Sequence, residues 1–289
     1  MLKVINAANS LEDFFHDDCF SIEQWSQYVD TVLPIHKNIF INDMRETIHA
    51  GGLTFENDYL PVLNNVLIHK ESREKVVSSF RKVTDHLDKR ILKTMGKSIE
   101  ATVILYMGLC NGAGWVIPID SCQYVLLGIE KIIELGWQDI NDMYGLIYHE
   151  LGHIYQMQYG QLKRNYKNSD AFLWQLFTEG IAMLFEQKLI GSNDYFHQDK
   201  NGWADWCAAN LNMIMNDFHS DLTNMTRENQ RYFGDWVHYK GYHDVGYYLG
   251  AKFVQWMNTK YPFDEMLNFD IKTIQLEWIS YLDRNNHNK

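Results

Sequence analysis

The 289-residue sequence predicts an α+β fold that is mostly helical and contains one small antiparallel sheet. Apolar residues recur every three or four positions over residues 21–95 and again after residue 139, which is typical of amphipathic helices. Between these regions, residues 101–129 are rich in β-branched and aromatic residues and contain a turn-forming segment, which is typical of short strands. The 46% hydrophobic content is sufficient for a packed core.

Two regions are expected along the chain. Residues 1–98 are predicted to form a helical layer that packs on the rest, with the apolar face of one helix at Val76, Phe80 and Val83. Residues 99–289 are predicted to form the functional domain, with the sheet at about 101–129, two central helices at about 141–190 and further helices to residue 285. No proline-rich linker or repeat marks a clean boundary between the regions.

Three strands are expected, at residues 101–107, 115–119 and 123–129. The second strand contains Pro118, which has no backbone N–H to donate to a neighbouring strand. That strand is therefore expected at the edge of the sheet.

A helix is predicted at residues 141–159, with acidic residues around its first turn and Gly160 at its end. It carries the motif His-Glu-Leu-Gly-His, in which His149 and His153 lie one turn apart on one side. The roughly opposite side carries an apolar stripe made of Met143, Ile147, Leu151 and Ile154.

This motif has the spacing of a catalytic zinc site. Two imidazoles one turn apart can bind one metal ion, and Glu150, which flanks them, can reach water at that ion. A glycine inside a helix costs about 1 kcal/mol relative to alanine, so we expect Gly152 to allow close approach of another backbone or to serve function. The alternative is a chance match in a helix whose histidines are only packed or exposed.

A catalytic zinc usually has three protein ligands and one open position. The metzincin pattern requires glycine and histidine where this chain has Gln156 and Tyr159, which excludes that class. The expected third ligand is Glu179, in a helix predicted at residues 170–190, because a carboxylate among large apolar residues needs a partner. A solvent-facing Glu179 is the alternative.

Residues 149–153 and 177–182, followed by Glu186, resemble the gluzincin metallopeptidases, in particular the catalytic domain of the aminopeptidase N and leukotriene A4 hydrolase type. They also resemble bacterial proteins described as predicted zinc-dependent proteases. The resemblance covers about residues 102–257 and implies a thermolysin-like domain with one Zn²⁺ per chain. It implies that Glu186 helps to position the metal ligands without binding the metal itself. The alternative is that Glu186 is a charged side chain exposed to solvent.

Two features depart from the aminopeptidases. The connection between His153 and Glu179 is longer here, and residues 163–169 are expected to form the additional loop. The Gly-Ala-Met-Glu-Asn motif, whose glutamate helps bind a free amine, is absent. The choice between endopeptidase and exopeptidase action therefore stays open.

The same resemblance implies an oxyanion donor near the C-terminus. Tyr247 precedes Gly250 by three residues, as the corresponding tyrosine does in the aminopeptidases, and a phenol can donate to an oxyanion without carrying charge. His243 and Tyr248 are alternative donors. The tyrosines of this segment are otherwise explained by packing of the helix.

The resemblance further implies a strand segment that pairs with the substrate backbone. The corresponding residues here are Asn111, Gly112, Ala113 and Gly114, whose glycines would allow a peptide to approach and add as a strand. An ordinary hairpin turn is the alternative.

Composition restricts the partners and the compartment. The net charge of −11 without any basic run argues against nucleic-acid binding. The first residues lack the apolar core of a signal peptide, and no apolar run of about 18 residues could cross a membrane. Four cysteines without C-x-x-C spacing fit reduced thiols. A cytoplasmic protein without nucleic-acid or membrane partners is expected; its oligomeric state is not indicated.

Together these patterns predict zinc-dependent hydrolysis of peptide bonds in a peptide or protein substrate, with Glu150 as general base. One alternative is a zinc hydrolase of a non-peptide amide or ester. Another is a catalytically inactive, metal-stabilised binding or regulatory protein.

Overall fold

The computed structural model describes residues 1–15, 17–119, 121–161 and 166–287. It divides into two compact units, residues 1–150 and residues 151–289, with the boundary inside the helix that carries the histidine motif. The predicted connecting loop at residues 163–169 falls partly outside the described residues, since 163–165 are not among them.

The first unit starts with a short strand and continues through helices to residue 95, which confirms the helical pattern predicted for residues 21–95. Ser21 begins the second of these helices by accepting a hydrogen bond from the N–H of Gln24, and Gly52, in the left-handed conformation, ends the third. The elements are β1 (Lys3–Asn6), α1 (Leu11–Phe14), α2 (Ile22–Val32), α3 (Asn38–Gly51), α4 (Leu60–Ile68), α5 (Lys70–Thr84) and α6 (Leu87–Met95).

The three predicted strands are present as β2 (Thr102–Tyr106), β3 (Gly114–Ile119) and β4 (Cys122–Gly128). Within the described residues they and β1 form a four-stranded sheet in the order β1-β2-β4-β3. Since β3 lies at one end of this order, the edge position predicted from Pro118 is confirmed.

The prediction of an antiparallel sheet is wrong for most of its pairings. Only β3 and β4 pair antiparallel, whereas β1 with β2 and β2 with β4 are parallel. The reason is that the chain leaves β2, forms β3 at the edge of the sheet, and then returns as β4 between β2 and β3. Strand β4 is therefore antiparallel to β3 and parallel to β2. The parallel partner β1 was not predicted, because four residues are too few to show an alternating pattern.

The N-terminal helices and the sheet share one core. The indole N–H of Trp25 donates to the carbonyl of Met107 at 2.9 Å, and the N–H of Met107 donates to the hydroxyl of Tyr28 at 3.0 Å. The rings of Phe40 and Tyr106 pack beside them, with centroids 5.2 Å apart. These contacts join residues on both sides of residue 98 in one core.

Two helices follow the sheet, α7 (Ile129–Glu134) and α8 (Ile140–Tyr159). The bounds of α8 confirm the helix predicted at residues 141–159. Its apolar stripe is fully buried, and burial also includes the side that carries His149 and Glu150, which are only 3% and 7% exposed. The helix is therefore embedded in protein rather than half exposed.

The second unit is helical. Its elements after α8 are α9 (Ser169–Ile190), α10 (Trp203–Asp221), α11 (Val245–Met257), α12 (Phe263–Met266) and α13 (Ile271–His287). Helices α9 and α11 meet where Gly180 faces Gly250, since a side chain on either glycine would overlap the backbone of the other helix. In the described part of the chain, none of the helices combines the length and apolar character needed to cross a membrane. The four cysteines are free thiols.

Candidate metal centre

The predicted ligands come together in the structure. His149 and His153 project from α8 one turn apart, and Glu179 lies in α9. One ligand atom from each of the three side chains lies within 4.8 Å of the other two. In the residues that the structure describes, this is the one group of at least three His, Cys, Asp or Glu side chains close enough to bind one ion.

One distance within this group fits a zinc ion. Tetrahedral ligands that are about 2.0–2.1 Å from zinc lie roughly 3.3–3.4 Å from one another. The Nε2 atom of His153 is 3.3 Å from Oε2 of Glu179, which matches that separation. Two imidazoles and one carboxylate are also a ligand set that zinc favours. The residues present therefore fit the metal that the motif implies.

Glycine inside the motif allows the two helices to approach. A Cβ atom on Gly152 would lie 2.8 Å from the Cα of Ala182 and 3.2 Å from the Cβ of Phe185, both in α9. The close packing predicted for Gly152 is confirmed. It lets α9 lie near enough to α8 for Glu179 to reach His153.

Glu150 is buried against the start of the edge strand. A Cβ atom on Gly114 would lie 2.6 Å from Oε1 of Glu150, so only glycine leaves room for the carboxylate there. The backbone of β3 therefore passes directly beside the predicted general base. The side chain of Glu150, which belongs to the histidine motif, thus also contacts the edge strand at Gly114.

The predicted substrate segment divides into two parts. The side chain of Asn111 is used within the protein, because its Nδ2 donates to the carbonyl of Phe40 at 2.9 Å and to Oδ2 of Asp43 at 2.8 Å. Ala113 is buried, and its carbonyl accepts a hydrogen bond from Gly128. Asn111 and Ala113 thus anchor the turn, in which Gly112 has a φ of 150°. Gly114 begins the edge strand.

Glu186 is fully buried, which contradicts the alternative of a solvated charge. Both of its carboxylate oxygens lie 3.1 Å from Nδ1 of His197, which is itself buried. The role of His197 was missed, because it has no ligand spacing to any other histidine. The one sequence signal was Glu186 itself, a charge in a nearly continuous apolar helix that needs a buried partner.

The three predicted oxyanion donors have different surroundings. Tyr248 is buried between Phe196 and Trp203, with ring centroids at 4.9 and 5.8 Å, and burial raises the pKa of its phenol to about 12. Tyr247 is half-buried and lies on the same side of α11 as Gly250, the residue that touches α9. His243 is partly exposed, and its Nδ1 lies 2.8 Å from Oδ2 of Asp244. The packing of Tyr248 makes it the weakest of the three.

Comparisons with protein-family models, with curated proteins and with solved structures find no match to this chain. The site must therefore be interpreted from its own geometry.

Proposed function

We propose that the protein is a zinc-dependent peptidase of the gluzincin type with a thermolysin-like catalytic region. The observation that carries this proposal is the 3.3 Å separation of His153 and Glu179, with His149 in the same group. The sequence motif predicts two of the ligands, and Glu179, from a different helix, lies close enough to His153 to be the third. A motif that arose by chance would not require a carboxylate from another helix to lie beside its histidines.

When bound at these residues, zinc would supply Lewis acidity that polarises a carbonyl group and makes water a stronger acid. The carboxylate of Glu150 would accept the proton from water as water attacks the carbonyl carbon. It would then return that proton to the nitrogen of the leaving amine. Its burial supports this role, because few water molecules compete for the carboxylate.

The edge strand supports a peptide as substrate. Strand β3 pairs on one side with β4 and lies at the end of the sheet. An extended peptide can add to such an edge through backbone hydrogen bonds. Since Gly114 lies against Glu150, a peptide paired with the start of β3 would run beside the general base.

The donor to the oxyanion is proposed to be Tyr247. Its position one turn before Gly250 on α11, the helix that packs against the Glu179 helix, supports this assignment. His243 is the other donor that the surroundings allow, since Asp244 orients its ring. Tyr248 is engaged in aromatic packing.

The test measures bound metal and peptide cleavage separately. Purified wild type should contain about one zinc per chain, and His153→Ala and Glu179→Ala should lose it, whereas His49→Ala, on exposed α3 surface, should keep it. Glu150→Gln should keep zinc and lose cleavage of a peptide library by at least about a hundredfold.

Other results would redirect the proposal. Zinc retained in Glu179→Ala would mean a different third ligand. Absence of zinc from wild type after supplementation would make the motif a coincidence. Bound zinc with cleavage of small esters or amides but of no peptide would point to the non-peptide hydrolase, and bound zinc with no turnover to a binding protein.

A further inference from the structure

A second buried carboxylate lies outside the candidate metal centre. Glu130, in the first turn of α7, is fully buried and follows directly on β4. Its Oε2 accepts a hydrogen bond from the N–H of Gly108 at 2.8 Å, and its Oε1 accepts one from the N–H of Cys110 at 3.1 Å. Both donors belong to the segment that follows β2.

Two glycines make the space for this carboxylate. A Cβ atom on Gly128 would lie 2.8 Å from Oε1 of Glu130, and a Cβ atom on Gly108 would overlap the same oxygen. The carboxylate is thus enclosed between the ends of β2 and β4. Its position is set by the packed sheet rather than by solvent.

Side chains accept hydrogen bonds from the first backbone N–H groups that follow β2. The N–H of Met107 donates to the hydroxyl of Tyr28, and the N–H of Leu109 donates to Oδ1 of Asn111. With the two bonds to Glu130, four successive backbone N–H groups are bound by side chains instead of by a neighbouring strand. Glu130 accounts for two of the four and is the one charged acceptor among them.

The same segment leads to the edge strand. Cys110 has a positive φ of 55°, Gly112 has φ 150°, and the chain then enters β3 at Gly114, against the carboxylate of Glu150. A change in the path of residues 108–112 would therefore change where the edge strand passes the predicted general base.

We propose that Glu130 is a positioning residue, whose carboxyl group holds residues 108–112 and thereby fixes Gly114 and the start of the substrate edge beside Glu150. The link to substrate rests on the peptidase function proposed above. The hold on the segment itself does not depend on that function.

Closure of the segment over Glu130 is coupled to the protonation of its carboxyl group, because burial favours the neutral form. Burial raises the pKa of Glu130 to about 7, against hydrogen bonds from Gly108 and Cys110 that lower it. The titratable groups that face it are Tyr28 of α2, Tyr106 of β2 and Lys131 of α7, whose ammonium group binds Glu134. The charge of Lys131 also lowers the pKa of Glu130.

Amide hydrogen exchange of the full chain tests this inference. Glu130→Gln keeps the size of the side chain but has one acceptor oxygen, and Glu134→Gln, in the same helix and partly exposed, is the matched control. We expect protection of the Gly108 and Cys110 amides at pH 8 to fall by about tenfold in Glu130→Gln and to stay unchanged in Glu134→Gln. Protection in α8 and zinc content should not change.

The pH dependence in wild type separates positioning from general stabilisation. Opening of the segment exposes Glu130 to water and returns its pKa toward its ordinary value, so opening costs more free energy at pH 6 than at pH 8. After correction for intrinsic exchange, protection of these two amides should therefore be higher at pH 6 than at pH 8 in wild type, and equal at both in Glu130→Gln. Equal wild-type protection at pH 6 and pH 8 would overturn the inference even if Glu130→Gln did not fold. Unchanged protection in a folded Glu130→Gln would overturn it as well.

Peptide cleavage gives the remaining readout. If wild type cleaves peptides, Glu130→Gln should raise KM by about tenfold with a smaller effect on kcat, since it displaces the binding edge and leaves Glu150 in place. An unchanged KM would overturn the link to substrate. If wild type cleaves no peptide, the proposed function fails, and the exchange result still decides whether Glu130 holds the segment.

Discussion

Both carboxylate oxygens of Glu186 lie 3.1 Å from Nδ1 of His197, and the two side chains are 0% and 3% exposed. The pair joins α9, which carries Glu179, to the chain that leads into α10. Glu186 follows Glu179 by seven residues, nearly two helical turns, and therefore lies on the same side of α9. A buried contact of this kind restrains the helix that carries Glu179, the proposed third ligand.

Replacing His197 should therefore destabilise the second unit. His197→Ala removes one partner of a buried carboxylate, and we expect a loss of roughly 2–4 kcal/mol in the free energy of unfolding. Urea unfolding of His197→Ala, Glu186→Gln and the double variant measures the effect. Strict additivity of the two single losses would show that the residues do not interact.

Helix packing at the motif should not tolerate a larger residue. Gly152→Ala adds a Cβ atom 2.8 Å from the Cα of Ala182, and we expect it to lower stability by about 1–3 kcal/mol despite the better helix propensity of alanine. Gly51→Ala is the control, because its Cβ atom would meet only the flexible side chain of Leu53 at 3.1 Å. Equal melting temperatures of wild type and Gly152→Ala would contradict the packing argument.

Zinc should stabilise the protein in proportion to its free concentration. A ligand that binds only the folded state at about 100 times its Kd adds about 2.7 kcal/mol, which calorimetry detects as a higher Tm. Glu179→Ala should lose most of this shift, and His49→Ala should retain it in full. A Tm that does not respond to zinc in wild type would argue against a folded-state metal site.

The two neighbouring tyrosines should differ in their effect on turnover. Tyr247→Phe removes the proposed donor and should lower kcat by about 10²–10³-fold, because one oxyanion donor contributes about 2.7–4 kcal/mol. Tyr248→Phe keeps the ring that packs on Phe196 and should leave kcat within about threefold. Steady-state kinetics on one peptide compares them. A large effect of His243→Ala with none for Tyr247→Phe would transfer the role to His243.

Stability should depend on pH through Glu130. Its pKa is raised from 4.5 in the unfolded chain to about 7 by burial, so its favourable contribution is complete below about pH 4.5 and is lost as pH rises through about 7. The loss is about 3 kcal/mol for the full shift. Glu130→Gln should lack this component, so the difference in unfolding free energy between wild type and variant should change across that range. A constant difference from pH 4.5 to pH 8 would refute the shifted pKa.

The local patterns of the chain were sufficient for the helices and for much of the site. The motif in α8 predicts two candidate ligands because the period of a helix alone brings His149 and His153 together. Glu179 was identifiable because a charge in an apolar helix needs a partner, and Glu186 was identifiable from the resemblance to the gluzincins. The strands β2, β3 and β4 were found from composition, and Pro118 indicated which of them lies at the edge.

Contacts between residues distant in the chain were not predictable in the same way. The pair formed by Glu186 and His197 depends on how the chain folds back after α9, and the neighbours of Glu130 depend on where the ends of β2 and β4 meet. No periodicity or spacing in the sequence indicates which distant segments come into contact. The partner of β2 was also hidden, because strand order follows from long-range pairing.

The sequence by itself determined the helical pattern, the edge strand and the type of ligand at the candidate metal centre, because these follow from spacing along a single element. Only the tertiary structure decided the parallel pairing of β1, β2 and β4, the 3.3 Å approach of Glu179 to His153, and the enclosure of Glu130. The physical reason is that local spacing sets which side chains share a face, whereas packing of distant segments sets which faces meet.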